Sequence, residues 1–315
     1  MLLHGLIYYM KKRTLKQLNI RSMAHLVLQL GCPLKKLLSI CKNTSKYYRS
    51  GDRLIKGKTR HIDEPVSELR NIVDRLQSIL SRIELPSYLH GGRKGCSIIT
   101  NAEIHVGKAA VLNFDLQDFF PSIHYSRVYK VFVNLGCSPD VASILTRLTT
   151  YGGCVPHGSP TSTTVANLCI VPLARRIKNL SKRHSSDFTQ FVDDGVMSGP
   201  AYIERLRNLI DKIIKQEGFT SSPKLHKRQT KYWYQEQIVT GVKVNYRIDV
   251  PTKPYNNLNA EIQKVKLGIK KGFIPEKTKM MSIQGKISHV RMLKPEKGDK
   301  LQRQLYLKGQ GKKAG

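Results

Sequence analysis

Phe191-Val192-Asp193-Asp194 is the stretch that decides how this chain folds. A β-prone run, 188–192, leads into the two adjacent carboxylates, and a second β-prone run begins directly after Gly195. This pattern predicts a hairpin with the two acids at its tip. Neighbouring carboxylates repel each other, so such a tip is typical either of a solvated turn or of a divalent-cation site. The four residues alone favour the solvated turn.

A third carboxylate lies at the end of an upstream strand. The apolar run 109–114 predicts a buried strand that ends in Asp115, and a sharp aromatic turn follows it. This placement suits metal and phosphate chemistry, although an aspartate can equally cap a following helix. Because helices are predicted between and after the two acidic stretches, the β-α-β-β-α order matches a split βαβ palm. Three carboxylates converging from neighbouring strands would bind two divalent ions about 3.5–4 Å apart.

The charge of the chain indicates a polyanionic partner. Lys and Arg number 54 against 22 Asp and Glu, a formal net charge of +32 over 315 residues. Residues 1–60 carry 14 basic and 1 acidic residue, 61–250 carry 24 and 17, and 251–315 carry 16 and 4. A nearly balanced middle with two basic flanks favours a catalytic body that grips nucleic acid, ahead of a membrane surface.

The cysteines and the first residues bear on location. None of the six cysteines shows C-x-x-C spacing, which predicts reduced, mostly buried thiols in a cytoplasmic protein. The apolar segment 2–10 is too short to span a bilayer, and its basic residues follow it, the reverse of a signal peptide. We therefore expect no membrane partner, and either Met1 or Met10 as the translation start.

Periodic apolar residues predict the helices. Stripes at three-to-four-residue spacing predict amphipathic helices over 66–83, 165–180, 203–214, 258–269 and 280–290. Pro65 should open the first of these at its N-terminal position, and Pro172 should kink or split the second. A shorter pair within 14–48 has basic faces that are either solvated or in contact with nucleic acid.

Two turn-rich segments and a strand pair complete the pattern. A basic hairpin is predicted over 53–64, turning near Gly57, and a short strand pair over 237–244. The Gly-rich basic loop 90–100 could bring backbone amides close to phosphates.

The motifs from about residue 50 to about residue 305 resemble, in their order, those of reverse transcriptases. Phe191-Val192-Asp193-Asp194 is similar to the family's Tyr-x-Asp-Asp box, and 113–122 to its first carboxylate motif. Gly158-Ser159-Pro160, continuing into 161–168, resembles the loop and helix that hold the template and the incoming nucleotide. The segment 60–65 resembles the fingers motif that grips the triphosphate.

Two narrower matches indicate the bacterial retron reverse transcriptases within that family. Asn101-Ala102-Glu103-Ile104-His105 is similar to their Asn-Ala-x-x-His insertion. Val239-Thr240-Gly241 is similar to their Val-Thr-Gly motif.

The resemblance implies an α+β right-hand polymerase fold with fingers, palm and helical thumb. The palm would be a split βαβ antiparallel sheet that carries the Asp triad. The implied organisation is a basic N-terminal helical region at 1–50, a fingers and palm core at 51–250, and a basic helical thumb and tail at 251–315. Within the core, the fingers would cover about 51–108 and 125–165.

The resemblance also implies roles for single residues. Asp115, Asp193 and Asp194 would carry two Mg²⁺ ions, for which Mn²⁺ is a possible substitute. Phe120 would occupy the place of the steric gate that selects deoxynucleotides, and Lys227 or the competing Lys224 would be the general acid. The residues implied in nucleotide binding are Lys58, Arg60, Phe119, Phe120, His157 and Gly158.

The implied reaction is the copying of a structured noncoding RNA, which serves as template and primer, into cDNA from dNTPs. Priming from a guanosine 2′-OH would give branched RNA-linked single-stranded DNA, called msDNA, in an anti-phage retron system. Implied protein partners are a retron effector and a host RNase H. The alternatives are another reverse transcriptase type, such as a group II intron maturase, and a catalytically silent basic RNA-binding protein.

Two residues depart from the family pattern. Phe191 stands where most relatives have Tyr, so a hydroxyl is missing near the primer end. His157 stands where most have Gln; its imidazole can still donate one hydrogen bond or stack, while a role as metal ligand or base is a minor alternative. We expect these substitutions to affect nucleotide selectivity and not the reaction itself.

Overall fold

The computed structural model describes residues 18–55, 57–224 and 228–306. Both possible translation starts and the basic tail from 307 lie outside these residues. In chain order the α-helices are α1 Met23–Leu30, α2 Leu34–Lys42, α3 Ser67–Leu80, α4 Ile98–Glu103, α5 Tyr125–Asn134, α6 Pro139–Thr149, α7 Ser162–Arg183, α8 Arg207–Gln216, α9 Thr252–Lys270, α10 Lys277–Leu293 and α11 Pro295–Tyr306. The strands are β1 Tyr48–Ile55, β2 Lys58–Pro65, β3 Ala110–Asp115, β4 Asp187–Phe191, β5 Asp194–Gly199, β6 Thr230–Tyr232, β7 Ile238–Val239 and β8 Val242–Lys243.

The basic hairpin at the N-terminal side is confirmed. Strands β1 and β2 pair antiparallel, from Tyr48 opposite Pro65 to Ile55 opposite Lys58, and Gly57 adopts φ +73° in the turn. The expectation that Pro65 opens a helix is wrong. Pro65 is the last residue of β2, and the Val66 N–H donates to the Tyr47 carbonyl at 2.8 Å. Pairing with the neighbouring segment therefore holds the chain extended past the proline, and α3 begins at Ser67.

A four-stranded sheet lies at the centre, in the order β4-β5-β3-β6 with antiparallel neighbours. Successive side chains along a strand point to opposite faces, and the burial pattern follows this rule. Leu112 and Met197 on one face belong to the larger core, which also contains side chains of α1 to α3 and α5 to α8. Val111 and Val196 on the other face belong to a second core shared with the C-terminal helices. The mixture of helices and antiparallel sheets confirms the expected α+β class.

The helix after the Gly-Ser-Pro loop runs unbroken from Ser162 to Arg183. Of the two expectations for Pro172, the split is therefore wrong, and the kink stays a prediction. An interior proline removes one helical hydrogen bond and costs about 3 kcal/mol when nothing compensates it. Here its neighbours Val171, Leu173 and Ala174 are all buried in the larger core. We attribute the continuity of the helix to this burial on both sides of the proline.

The other amphipathic stripes also fold as helices. Gly31, in the left-handed region at φ +58°, ends α1 by donating its N–H to the Leu28 carbonyl. The stripe from Ile203 begins as a 3₁₀ turn, Ala201–Leu206, and continues as α8. The basic C-terminal segment forms α9, α10 and α11, which bury Leu258, Ile283 and Leu301 against one another and the sheet. Among the described helices, none combines the length and the apolar character required to cross a bilayer.

Candidate active site

Three aspartates meet at one end of the central sheet. In the pairing of β3 with β5, Asp115 lies directly opposite Asp194, and Asp193 occupies the turn between β4 and β5. The Leu116 N–H donates to the Asp193 carbonyl at 3.1 Å, which joins the end of β3 to the hairpin tip. Residues directly opposite each other across an antiparallel pair share a face, with Cβ atoms about 4.5–5.5 Å apart. The predicted hairpin with acids at its tip is therefore confirmed.

The donor set of this tip is all carboxylate oxygen. Hard divalent cations such as Mg²⁺ favour such donors and complete their coordination with water and substrate phosphates. No group of three or more His, Cys, Asp or Glu side chains within 18–55, 57–224 and 228–306 is preassembled as a metal site. The carboxylate donors, and the common face of Asp115 and Asp194, nevertheless fit a divalent-cation site that further ligands would complete.

The backbone of the turn between β4 and β5 is strained, and neighbouring residues hold it in place. Val192 has φ +58°, a conformation that a β-branched residue adopts only under constraint. The Gln190 side-chain amide donates to the Val192 carbonyl at 3.0 Å. The Gly-rich loop packs behind it: the His90 N–H donates to the Gln190 carbonyl at 2.8 Å, and a Cβ on Gly91 would lie 2.5 Å from the Val192 backbone nitrogen. Sequence reasoning considered this loop only for phosphate contact, and missed its packing against the tip.

Residues expected to bind the nucleotide come together in front of the sheet. The His157 ring lies 4.7 Å from the Phe120 ring, and its Nε2 lies 3.3 Å from Arg60 Nη1. The Asp63 N–H donates to the His157 carbonyl at 2.9 Å, which ties the loop to β2. Gly158 fits against β2 because a Cβ there would lie 2.7 Å from Ile62. Burial, followed by the nearby Arg60 charge, lowers the pKa of His157, so its imidazole is held neutral.

The remaining residues that were expected at the site show less direct connections to the three aspartates. Phe119 is buried and packs against Phe219 at 6.0 Å between ring centroids. Lys224 is exposed, two residues after Ser222, whose N–H donates to the Asp115 carbonyl at 2.7 Å. Lys227 and the side chain of Lys58 lie outside what the structure describes.

Curated proteins with similar sequences share one description. The retron Mx65 reverse transcriptase of Myxococcus xanthus is 28% identical over 274 residues, which are 80% of this chain and 62% of that protein. The retron Ec86 reverse transcriptase of Escherichia coli is 29% identical over 215 residues, 67% of each chain. The retron Se72 reverse transcriptase of Salmonella heidelberg (strain 579083-10) is 33% identical over 184 residues, 57% of this chain and 48% of that protein.

This chain is similar to the retron reverse transcriptases. The resemblance that its motifs indicated is thereby confirmed. The matches span about half to two thirds of the length of these curated relatives. No family model matches the chain.

The two motifs that resemble those of retron enzymes contact each other. The Asn101 side-chain amide lies 3.4 Å from Thr240 Oγ1, and Thr240 Oγ1 donates to the Ile98 carbonyl at 3.4 Å. Thr240 and Gly241 have φ +46° and +82°, which a two-residue hairpin turn between β7 and β8 requires. Ala102 and Val239 are both fully buried in the second core. The spacing of the motifs in the sequence, more than a hundred residues apart, carried no signal for this contact.

His105, the last residue of the first motif, is also fully buried. Its Nδ1 lies 2.7 Å from Ser198 Oγ and its Nε2 lies 2.8 Å from Thr189 Oγ1. Burial lowers the pKa of His105 to about 3, so the ring is neutral at physiological pH. Sequence reasoning missed both hydroxyl partners; their only signal was a polar side chain within each β-prone run.

Proposed function

We propose that this chain is an RNA-directed DNA polymerase of the retron type. The observation that carries the proposal is the placement of Asp115 opposite Asp194 with Asp193 at the adjoining tip. The curated names of its relatives support the same activity. The six motifs then have one common purpose, which is nucleotidyl transfer at the sheet end.

In the proposed reaction Asp115, Asp193 and Asp194 hold two Mg²⁺ ions, with Mn²⁺ as a possible substitute. Such a pair supplies activation of the attacking hydroxyl and charge stabilisation of the departing pyrophosphate. The three carboxylates would be held in fixed relative positions, because β3, β5 and the β4–β5 turn are hydrogen-bonded to one another. Lys224 or Lys227 would donate the proton that the pyrophosphate takes.

The nucleotide would enter between the β1–β2 hairpin and the sheet. Arg60, together with Lys58 as the resemblance implies, would meet the triphosphate by charge-assisted hydrogen bonds. The Phe120 ring, held between Phe119 at 5.6 Å and His157 at 4.7 Å, would stand where a ribose 2′-OH must lie. Gly158 lets its loop pack closely against β2, because a Cβ there would lie 2.7 Å from Ile62. Together these residues would select a deoxynucleotide.

The proposed organisation follows the expected boundaries. In this proposal 1–50 would be a basic helical region, 51–250 would be fingers and palm, with fingers at about 51–108 and 125–165, and 251–315 would be the thumb and tail. The net charge of the last segment favours an RNA stem as its ligand, because neutralising phosphates releases counterions.

The RNA would serve as template and primer, with a guanosine 2′-OH as the priming group and msDNA as the product. A retron effector, a host RNase H and an anti-phage role complete this proposal.

Replacement of the tip carboxylates tests the reaction. The double variant Asp193→Asn, Asp194→Asn should lose deoxynucleotide incorporation on an RNA template while it keeps RNA affinity, because only metal-binding charge is removed. Asp140→Asn, an exposed carboxylate on α6, is the matched control and should retain activity. Continued cDNA synthesis by the double variant would disprove the assignment of these aspartates.

Analysis of the copurified nucleic acid tests the retron type. The expected product is a short structured RNA joined covalently to single-stranded DNA, so RNase treatment should shorten it without removing the DNA. An intron lariat would instead indicate a maturase. An RNA complex that dissociates with salt and incorporates no nucleotide would indicate a silent binding protein.

A further inference from the structure

His105 ties together the two strands that carry the aspartate tip. Its two ring nitrogens are hydrogen-bonded to Thr189 on β4 and Ser198 on β5. A neutral imidazole donates through one nitrogen and accepts through the other, so both of its capacities are used within the protein. The side chain is 0% exposed, and it therefore has no surface to offer to RNA.

The tie lies on the same face of the sheet as the carboxylates. In the register of β4 with β5, Phe191 lies opposite Asp194 and Thr189 opposite Val196. Because side chains alternate along each strand, Thr189 and Ser198 share the face of Asp194 and Asp115. Thr189 lies two residues from the end of β4, about 7 Å along the strand. The histidine is thus close enough to set the spacing of the strands but does not touch the reacting atoms.

The helix α4, which ends two residues before His105, is itself anchored to this face of the sheet. Asn101 on α4 contacts Thr240 of the β7–β8 turn, and Ala102 packs in the core that also contains Val196. The Asn113 side-chain amide, next to Asp115 on that face, donates to the Ile238 carbonyl at 3.2 Å. Both retron-type motifs therefore pack on the sheet within a few residues of the aspartates.

We propose that His105 is a positioning residue, and that the two retron-type motifs form a clamp that fixes β4 and β5 so that the tip carboxylates face Asp115. The proposal rests on the proposed function, because the carboxylates are taken to hold divalent ions. It assigns His105 to the organisation of the metal site and not to direct contact with RNA, because its side chain is fully buried.

The hydroxyls offer a matched test. Thr189→Val keeps the shape of the side chain and removes the hydroxyl, whereas Thr189→Ser keeps the hydroxyl and removes a methyl group. We expect Thr189→Val and His105→Phe to weaken Mn²⁺ binding, measured by titration calorimetry on the RNA-bound protein, by about tenfold, the lower end of the effects seen for groups that support metal ligands. Thr189→Ser should bind Mn²⁺ as the wild type does. The Mg²⁺ concentration required for half-maximal DNA synthesis should rise in parallel, with RNA affinity unchanged.

Two results would overturn the proposal. Loss of RNA affinity with unaltered Mn²⁺ binding would overturn the clamp and make the motif an RNA contact. Equal behaviour of Thr189→Val and Thr189→Ser would also overturn it, because the hydroxyl would then be irrelevant. His124→Ala, an exposed histidine outside the site, controls for the loss of any imidazole. If the wild type binds Mn²⁺ but makes no cDNA, the proposed function fails while the clamp is still decided by the metal affinities.

Discussion

Gly91 is the residue at which a single methyl group should disturb the aspartate tip most directly. A Cβ at this position would lie 2.5 Å from Val192 Cγ2, 2.5 Å from the Val192 backbone nitrogen and 3.0 Å from the Phe191 carbonyl carbon. Rotation of the valine side chain would relieve only the first of these contacts. The backbone of the turn must therefore move away from the loop in Gly91→Ala.

The size of the effect follows from this geometry. Ordinary van der Waals contact begins near 3.4 Å, so the turn or the loop must yield by roughly 1 Å. Forced insertion of a methyl group into a packed site costs typically about 1–3 kcal/mol. A displacement of about 1 Å at a reacting centre can lower the rate about 100-fold. We therefore expect a modest loss of stability with a roughly 10- to 100-fold loss of incorporation rate.

Two measurements check the expectation. Single-turnover deoxynucleotide incorporation on an RNA template gives the rate, and thermal unfolding followed by circular dichroism gives the stability. Gly51→Ala is the matched control, since a Cβ there meets nothing within 4 Å and Gly51 has no positive φ. A wild-type rate in Gly91→Ala would refute the claim that the Gly-rich loop supports the tip. A slow rate in both variants would point to a general effect of the substitution.

Further predictions concern pH, selectivity, helix stability and salt. Folding lowers the pKa of His105 from 6.5 to about 3, so the unfolded chain binds more protons than the folded protein between these pH values. The free energy of unfolding should therefore fall by up to about 1.4 kcal/mol per pH unit as the pH drops below 6.5. His105→Gln should make this pH dependence weaker, as measured by urea titrations at several pH values. Phe120→Ala should increase ribonucleotide incorporation relative to deoxynucleotide incorporation in a competition assay, because the ring beside His157 is removed; unaltered discrimination would exclude Phe120 as the gate. Gly285→Ala should raise the free energy of unfolding by about 0.5–1 kcal/mol, since this exposed position inside α10 has open space around it, and a lower melting temperature would contradict that reading. RNA affinity should fall steeply as salt rises, in keeping with the net charge of +32, and an affinity independent of salt would exclude phosphate contacts as its main source.

Local pattern was sufficient for most of the elements. The β-prone runs on both sides of Asp193-Asp194 predicted the hairpin, the apolar run before Asp115 predicted β3, and the three-to-four spacing predicted the long helices. These features are local because hydrophobic period and turn residues act over a few neighbours. The two prolines mark the limit of such reasoning. Pro65 remains extended and Pro172 remains helical, because pairing with Tyr47 in the first case and burial in the second outweigh local preference.

For the candidate site, too, the sequence and the tertiary structure each supplied a different part. The sequence by itself determined the types and the order of the residues that are predicted to carry the chemistry, since carboxylates, aromatic rings and basic side chains were recognisable in it. Only the tertiary structure decided that Asp115 lies opposite Asp194, that Gly91 packs under Val192, and that His105 reaches Thr189 and Ser198. These contacts join residues up to about a hundred positions apart. Register and packing between distant segments depend on the whole folded core, and no local period in the chain encodes them.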